Sequence, residues 1–232
     1  MPPPPEIVVI AGPNGTGKST LARLLLPEAM PFLNADEIAK ALPDTAGNKE
    51  IESGRELLRR MDLLVEKRQR FALETTLSSR SLAPRIARLQ KVGYRFQLIF
   101  LLLPSPEMAV ERVAARVRRG GHSIPEEIIR RRFEAGLRNL TTIYQPIVDH
   151  WQVYQNTQIG PPLPVASSQS ETQRSIFDDE EEVLRRFQVA VREALLDHKR
   201  AGNSVAVWRD GKVVIVPPEE INVSDSGKTK KK

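Results

Sequence analysis

One stretch constrains this chain more than any other: Ile7-Val8-Val9-Ile10-Ala11-Gly12-Pro13-Asn14-Gly15-Thr16-Gly17-Lys18-Ser19-Thr20. The β-branched apolar run reads as a buried strand over residues 6–10, and residues 18–26 read as a helix with Leu21, Leu24 and Leu25 on one side. Between them, Gly12-x-x-x-x-Gly17-Lys18-Ser19 fits the phosphate-binding loop at every required position. Gly12, Gly15 and Gly17 admit backbone conformations closed to other residues and let N–H groups approach an anion closely. The helix that follows turns its positive end on the same anion. Gly12, Pro13, Asn14, Gly15, Thr16, Gly17, Lys18, Ser19 and Thr20 are therefore expected to hold a nucleoside triphosphate, with Lys18 bridging the β- and γ-phosphates and the Ser19 hydroxyl ligating Mg²⁺.

The rest of the chain alternates strand and helix. Residues 32–34 read as a short second strand and 35–42 as a helix with acids in its first turn. A long helix is expected over 48–70, a strand over 71–76, and a helix over 81–91 closed by Gly93. Residues 95–103 are almost continuously apolar, as parallel strands buried on both faces are. Helices are expected over 107–118, 125–139 and 142–150, then a last strand over 151–154. This order implies an α/β fold: a parallel sheet flanked by helices, joined by right-handed crossovers, with ligands at the strands' carboxyl ends. Residues 155–176 are rich in Pro, Ser, Gln and Thr and read as a flexible linker. Residues 177–199 pattern as an amphipathic helix, and Val205–Arg209, Asp210-Gly211 and Lys212–Val216 as a hairpin, a helix–hairpin appendage over 177–221. Residues 222–232 read as a disordered basic tail.

Three further groups of residues bear on chemistry. Asp36 follows the second strand, where its carboxylate can take a proton from an attacking hydroxyl or simply stabilise a helix start. Glu74 and Thr76 end the third strand and, two apart on extended chain, are expected to face the same way. They can hydrogen-bond a polar substrate such as a sugar, or Glu74 can hold Mg²⁺ through water, since the strand over 95–103 ends without an acid. Arg112, Arg116 and Arg119 recur at i, i+4 and i+7 on one helix face, ahead of a Gly120-Gly121-His122-Ser123-Ile124-Pro125 hinge. Guanidinium groups near a γ-phosphate neutralise transition-state charge, although a merely solvated face has the same spacing.

Composition excludes several alternatives. The chain has 232 residues and no cysteine, so neither disulfides nor thiolate metal sites hold it together. This fits a reducing, cytoplasmic setting. No segment reads as a leader or a membrane span. The net charge of +6 does not by itself call for nucleic acid: part of it lies in Lys228-Thr229-Lys230-Lys231-Lys232 and much of the rest in the arginines between 112 and 138.

In order along the chain, Ala11–Thr20, Asn34-Ala35-Asp36-Glu37-Ile38, Phe71–Leu77 and Glu111-Arg112 through Gly120–Pro125 resemble the zeta toxin family, with similarity over residues 6–154. The resemblance implies a P-loop kinase domain over 1–154 that moves the γ-phosphate of ATP to the 3′-hydroxyl of the sugar in UDP-N-acetylglucosamine, with a protein antitoxin as a possible partner. By that resemblance Lys18 and Ser19 handle ATP and Mg²⁺, and Asp36 is the general base. Glu74 and Thr76 would contact the sugar, and Arg112 with Arg116 or Arg119 the γ-phosphate. Thr75 stands where those toxins have glycine, and few residues precede the first strand, where those toxins have a helical segment that docks the antitoxin. A P-loop kinase with another acceptor (a nucleoside, a free sugar or a polynucleotide end) and a non-catalytic nucleotide-dependent module remain open on the residues alone.

Overall fold

The structure, a computed structural model, describes residues 4–43, 48–157, 162–168 and 180–223. Six strands form one sheet: β1 (Glu6–Ala11), β2 (Phe32–Leu33), β3 (Phe71–Thr75), β4 (Arg95–Leu102), β5 (His150–Gln155) and β6 (Leu163–Ser167), in the spatial order β2-β3-β1-β4-β5-β6. The first five run parallel. In the central pairing Ile10 lies opposite Glu74 on one side and Ile99 on the other, so β1 and β3 end level and β4 runs on to Leu102.

Successive side chains of a strand leave on opposite faces, and here both faces are apolar. Ile7, Val9, Phe71, Leu73, Phe96, Leu98 and Phe100 fill one face, closed by Met61 of α3 (Lys49–Glu66) and by Ile86 and Leu89 of α4 (Leu82–Lys91). Val8, Ile10, Ala72, Ile99, Leu101 and Tyr154 fill the other. That second face is covered by α1 (Lys18–Leu25) and by the C-terminal helix α7 (Glu180–Arg200), whose Val183, Phe187 and Ala190 are buried there. The helix expected in a C-terminal appendage is thus a layer of the sheet itself. Phe187 meets the Tyr154 ring edge-on, centroids 4.6 Å apart, and Arg186 donates to the Leu25 carbonyl at 2.7 Å, closing the end of α1.

Three features depart from the sequence reading. Within the stretch read as a linker, β6 pairs antiparallel with β5. It lacks an apolar–polar alternation because all five residues are exposed, and Pro164 is tolerated because an edge strand can spare a donor. The helix expected over 142–150 is instead a π turn, Leu140–Tyr144, continuing α6 (Glu126–Asn139), and His150 already belongs to β5. The wide turn serves the loop after β3: Asn139 Nδ2 donates to the Leu77 and Ser78 carbonyls at 2.8 and 3.2 Å, and the Tyr144 hydroxyl to Ser79 O at 2.6 Å. The hairpin of β7 (Val205–Arg209) and β8 (Lys212–Val216) forms as expected, but Trp208 and Val213 pack against the cluster of α5 (Pro106–Arg118) and α6. Residues 224–232 of the expected tail, residues 177–179 of the expected helix, and most of residues 155–176 lie outside the described residues.

Candidate active site

The site begins at the carboxyl end of β1, where the loop must pass close to β4. A Cβ on Gly12, whose φ is +142°, would sit 2.2 Å from the Leu101 carbonyl oxygen, so only glycine fits. Gly15, at φ +79°, lies close against α5, where a Cβ would meet that of Arg112 at 3.0 Å. Thr16 pins the turn by donating from its hydroxyl to Pro13 O at 3.0 Å. Lys18 is almost fully buried and donates to the Gly12 and Pro13 carbonyls, both at 2.9 Å. Burial pulls its ammonium below the ordinary lysine value, while Glu74 and Asp36 pull it back up. A buried ammonium held only by neutral carbonyls and one carboxylate oxygen at 3.8 Å is poised to exchange those carbonyls for phosphate oxygens.

Ser19 donates its hydroxyl to Glu74 Oε2 at 2.7 Å, and Asn34 Nδ2 reaches the same oxygen at 2.8 Å. Asn34 also caps α2 (Ala35–Ala41), accepting at Oδ1 from the N–H groups of Asp36 and Glu37 at 2.8 and 3.3 Å. The cap is therefore Asn34, which leaves the exposed Asp36 carboxylate facing the cleft rather than its own backbone. Ser19 and Glu74 are hard oxygen donors beside the phosphate loop, the kind Mg²⁺ takes together with phosphate and water, so these residues fit the ion. Among the described residues no group of three or more His, Cys, Asp or Glu could hold a metal.

Lys18, Ser19, Asp36, Glu74, Arg112, Arg116 and Arg119 all line one cleft of about 340 Å³. The three arginines share a face of α5 and its cap, as their spacing requires. Arg112 donates from Nε to the Ala206 carbonyl at 3.2 Å, and burial lowers its guanidinium to about 10, still cationic at neutral pH. Arg116 donates to His122 O at 2.8 Å, while its buried Nε has no partner. Among the described residues neither Arg112 nor Arg116 pairs with a carboxylate, an arrangement that is costly unless an anion completes it. Arg119 donates to His198 Nδ1 at 2.6 Å, which requires a neutral imidazole.

Thr76 is not brought into the cleft. The strand ends at Thr75 and the chain turns at Leu77, φ +55°, so the two-residue periodicity stops one position short. The Thr76 hydroxyl lies 2.9 Å from that of Ser78 instead. Two residues escape sequence reasoning. Asn34 has only its capping position to mark it. Asn156, just past β5, donates from Nδ2 to the Thr16 carbonyl at 2.8 Å and so ties the phosphate loop to the far side of the sheet; nothing local in the sequence signals it. Of Arg130-Arg131-Arg132, Arg130 joins α5 to α6 through Glu107 and Glu126, and the charge of Arg132 acts on Lys18.

Comparison with known proteins bears on the family and the fold. The family model described as Zeta toxin matches residues 2–161. An uncharacterized protein of Haemophilus influenzae is 28% identical over 129 residues, 55% of this chain and 92% of that protein. Among solved structures, a chain from the PezAT chromosomal toxin–antitoxin system of Streptococcus pneumoniae superposes with a TM-score of 0.54 at 18% identity, covering 87% of each chain. The AvrRxo1-ORF1:-ORF2 structure with ATP gives 0.56 at 15% identity, covering 83% of this chain and 77% of that one. At those identities the likeness is one of fold.

Proposed function

This chain belongs to the zeta toxin family and has a P-loop kinase-type fold, and from that premise we propose that it transfers the γ-phosphate of ATP to a sugar hydroxyl, the 3′-hydroxyl of UDP-N-acetylglucosamine. The observation that carries this reading is the presence of Lys18 and Asp36 in one cleft, with Arg112 and Arg116 of α5 paired to no carboxylate among the described residues. The phosphate loop fixes the triphosphate, and Asp36, free of capping duty, stands where an acceptor hydroxyl would lie.

The Asp36 carboxylate takes the hydroxyl proton as that oxygen attacks the γ-phosphorus. The new O–P bond forms, the bond from the γ-phosphorus to the bridging oxygen breaks, and the electron pair leaves on ADP. Lys18 and Arg112, with Arg116 or Arg119, bear on the three equatorial oxygens where charge accumulates. Mg²⁺, when bound, would supply positive charge against the phosphate oxygens. Ser19 and Glu74 would hold it. A cytoplasmic setting goes with this reading, because ATP and nucleotide sugars are made there. No helix among the described residues is long and apolar enough to cross a membrane. A protein antitoxin is the partner class that the family suggests.

Product analysis by mass spectrometry after incubation with ATP, Mg²⁺ and UDP-N-acetylglucosamine tests the proposal. The expected products are ADP and the sugar nucleotide carrying one added phosphate at the 3′ position. Phosphate appearing instead on a nucleoside, a free sugar or a polynucleotide end would reassign the acceptor, and ATP binding without any transfer would remove the enzyme reading.

A further inference from the structure

We infer that the C-terminal helix and hairpin form the nucleoside subsite of this cleft: α7 and β7 receive the base and ribose of the triphosphate whose phosphates lie in the Gly12–Lys18 loop. This deepens the kinase reading and rests on it, since it takes the loop to be the phosphate site.

The cleft has two ends, and the order of the strands separates them. Asp36 follows β2 and Glu74 lies near the end of β3 on one side of β1, whereas Leu101 belongs to β4 and Asn156 follows β5 on the other. All the acidic residues that line the cleft, Asp36 and Glu74, are on the β2–β3 side. The β4–β5 side is closed by α7 and β7 and contains no carboxylate among its described lining residues. Half of the cleft is therefore suited to activating a hydroxyl and coordinating a cation. The other half, walled by the apolar face of α7 and β7 and bordered by Arg112 and Arg119 through Ala206 and His198, is suited to a flat group attached to the phosphates.

That second half is a built surface. The first turns of α7 bury Val183, Phe187 and Ala190 in the core, and the same helix then turns Val191, Ala194, Leu195 and His198 toward the cleft. These four recur at i, i+3, i+4 and i+7, one continuous face. Opposite lie Ala206 and Val207 of β7. Trp208 donates its N–H to Thr157 O at 2.7 Å, away from β8. By the alternation of an antiparallel pair, the backbone of Ala206 also faces away from β8. Its carbonyl accepts from Arg112, which places an edge-strand N–H and C=O beside the apolar face. Stacking room plus backbone donors and acceptors is how an apolar cleft reads the edge of a base. The wall is anchored to α1 through Arg186, to Ile221 through Lys199, and to the loop after β5 through Trp208.

Calorimetric titration of the full chain with ATP and with inorganic tripolyphosphate separates the two claims. The wild-type protein should bind ATP at least tenfold more tightly than tripolyphosphate. Ala194→Trp, which fills the middle of the apolar face, should weaken ATP at least tenfold and leave tripolyphosphate within twofold. Lys18→Ala should weaken both. Loss of discrimination only in Ala194→Trp supports the inference; an Ala194→Trp protein with unchanged ATP affinity overturns it while the kinase reading stands. Failure of the wild-type chain to bind either ligand overturns both. Should Ala194→Trp not fold, photolabelling of the wild-type protein with 8-azido-ATP decides: label within residues 187–207 supports the subsite, and label confined to other segments overturns it.

Discussion

The two ends of the cleft are built by different means. The phosphate end is local: within residues 12–19 a backbone path, three positive-φ glycines and one lysine make the whole cradle. The C-terminal end is assembled at long range, by a helix and a strand that meet α1, α5 and the loop after β5. Backbone geometry dictates the first, and packing dictates the second. A site divided in this way fixes its charge chemistry early in the chain and leaves the shape of the opposite wall to whatever covers the sheet's second face.

Arg112 stands where the two ends meet, and changing it should have the largest effect. If it stabilises the transferring phosphoryl group, Arg112→Ala should lower kcat by about 10³-fold or more. Arg112→Lys should recover little, since lysine cannot reproduce the planar, two-pronged contact; full rescue by lysine in steady-state assays would reduce Arg112 to a surface cation. Next is Phe187→Ala, which empties a fully buried site between α7 and Tyr154. It should cost roughly 3–5 kcal/mol in urea unfolding. A loss well under 1 kcal/mol would mean that α7 is an accessory and not a layer of the core. Asn156→Ala sharpens the contrast, because it cuts the tie between the far side of the sheet and the phosphate loop. Leaving the Thr16 carbonyl without that donor should cost about 1–3 kcal/mol, with weaker ATP binding in the same calorimetric assay.

The smallest effect is one of pH. Burial first, and then the Arg119 charge, lowers the His198 pKa. The folded chain therefore favours neutral imidazole, and the unfolded chain binds more protons as pH falls below the ordinary value of about 6.5. The contribution of the Arg119–His198 contact is present above that value and is lost on acidification. In NMR titration His198 should protonate below the ordinary range, and Arg119→Ala should move it upward; no movement would show that the contact does not bear on the imidazole.

Legibility followed the same division. The phosphate loop, the parallel order of the central strands, Asp36 after β2 and the arginine face were readable because each depends on spacing within one element. Glu74 was readable as a strand-end acid, but its partners Ser19 and Asn34 come from two other elements. Thr76 was misplaced by a strand that stops at Thr75. The edge strand β6 has no alternation to find, and the π turn after Asn139 exists to satisfy carbonyls of residues 77–79, a demand invisible from its own segment. Likewise α7 was legible as an amphipathic helix, but which surface its apolar face would meet was not.

The measurement that bears most directly on the whole account is single-turnover phosphoryl transfer by Asp36→Asn, with ATP affinity determined on the same preparation. A general base free of capping and metal duties should be separable from the triphosphate cradle: transfer should fall by about 10²–10⁴-fold while ATP binds within twofold of the wild-type value. Transfer at the wild-type rate would contradict the account.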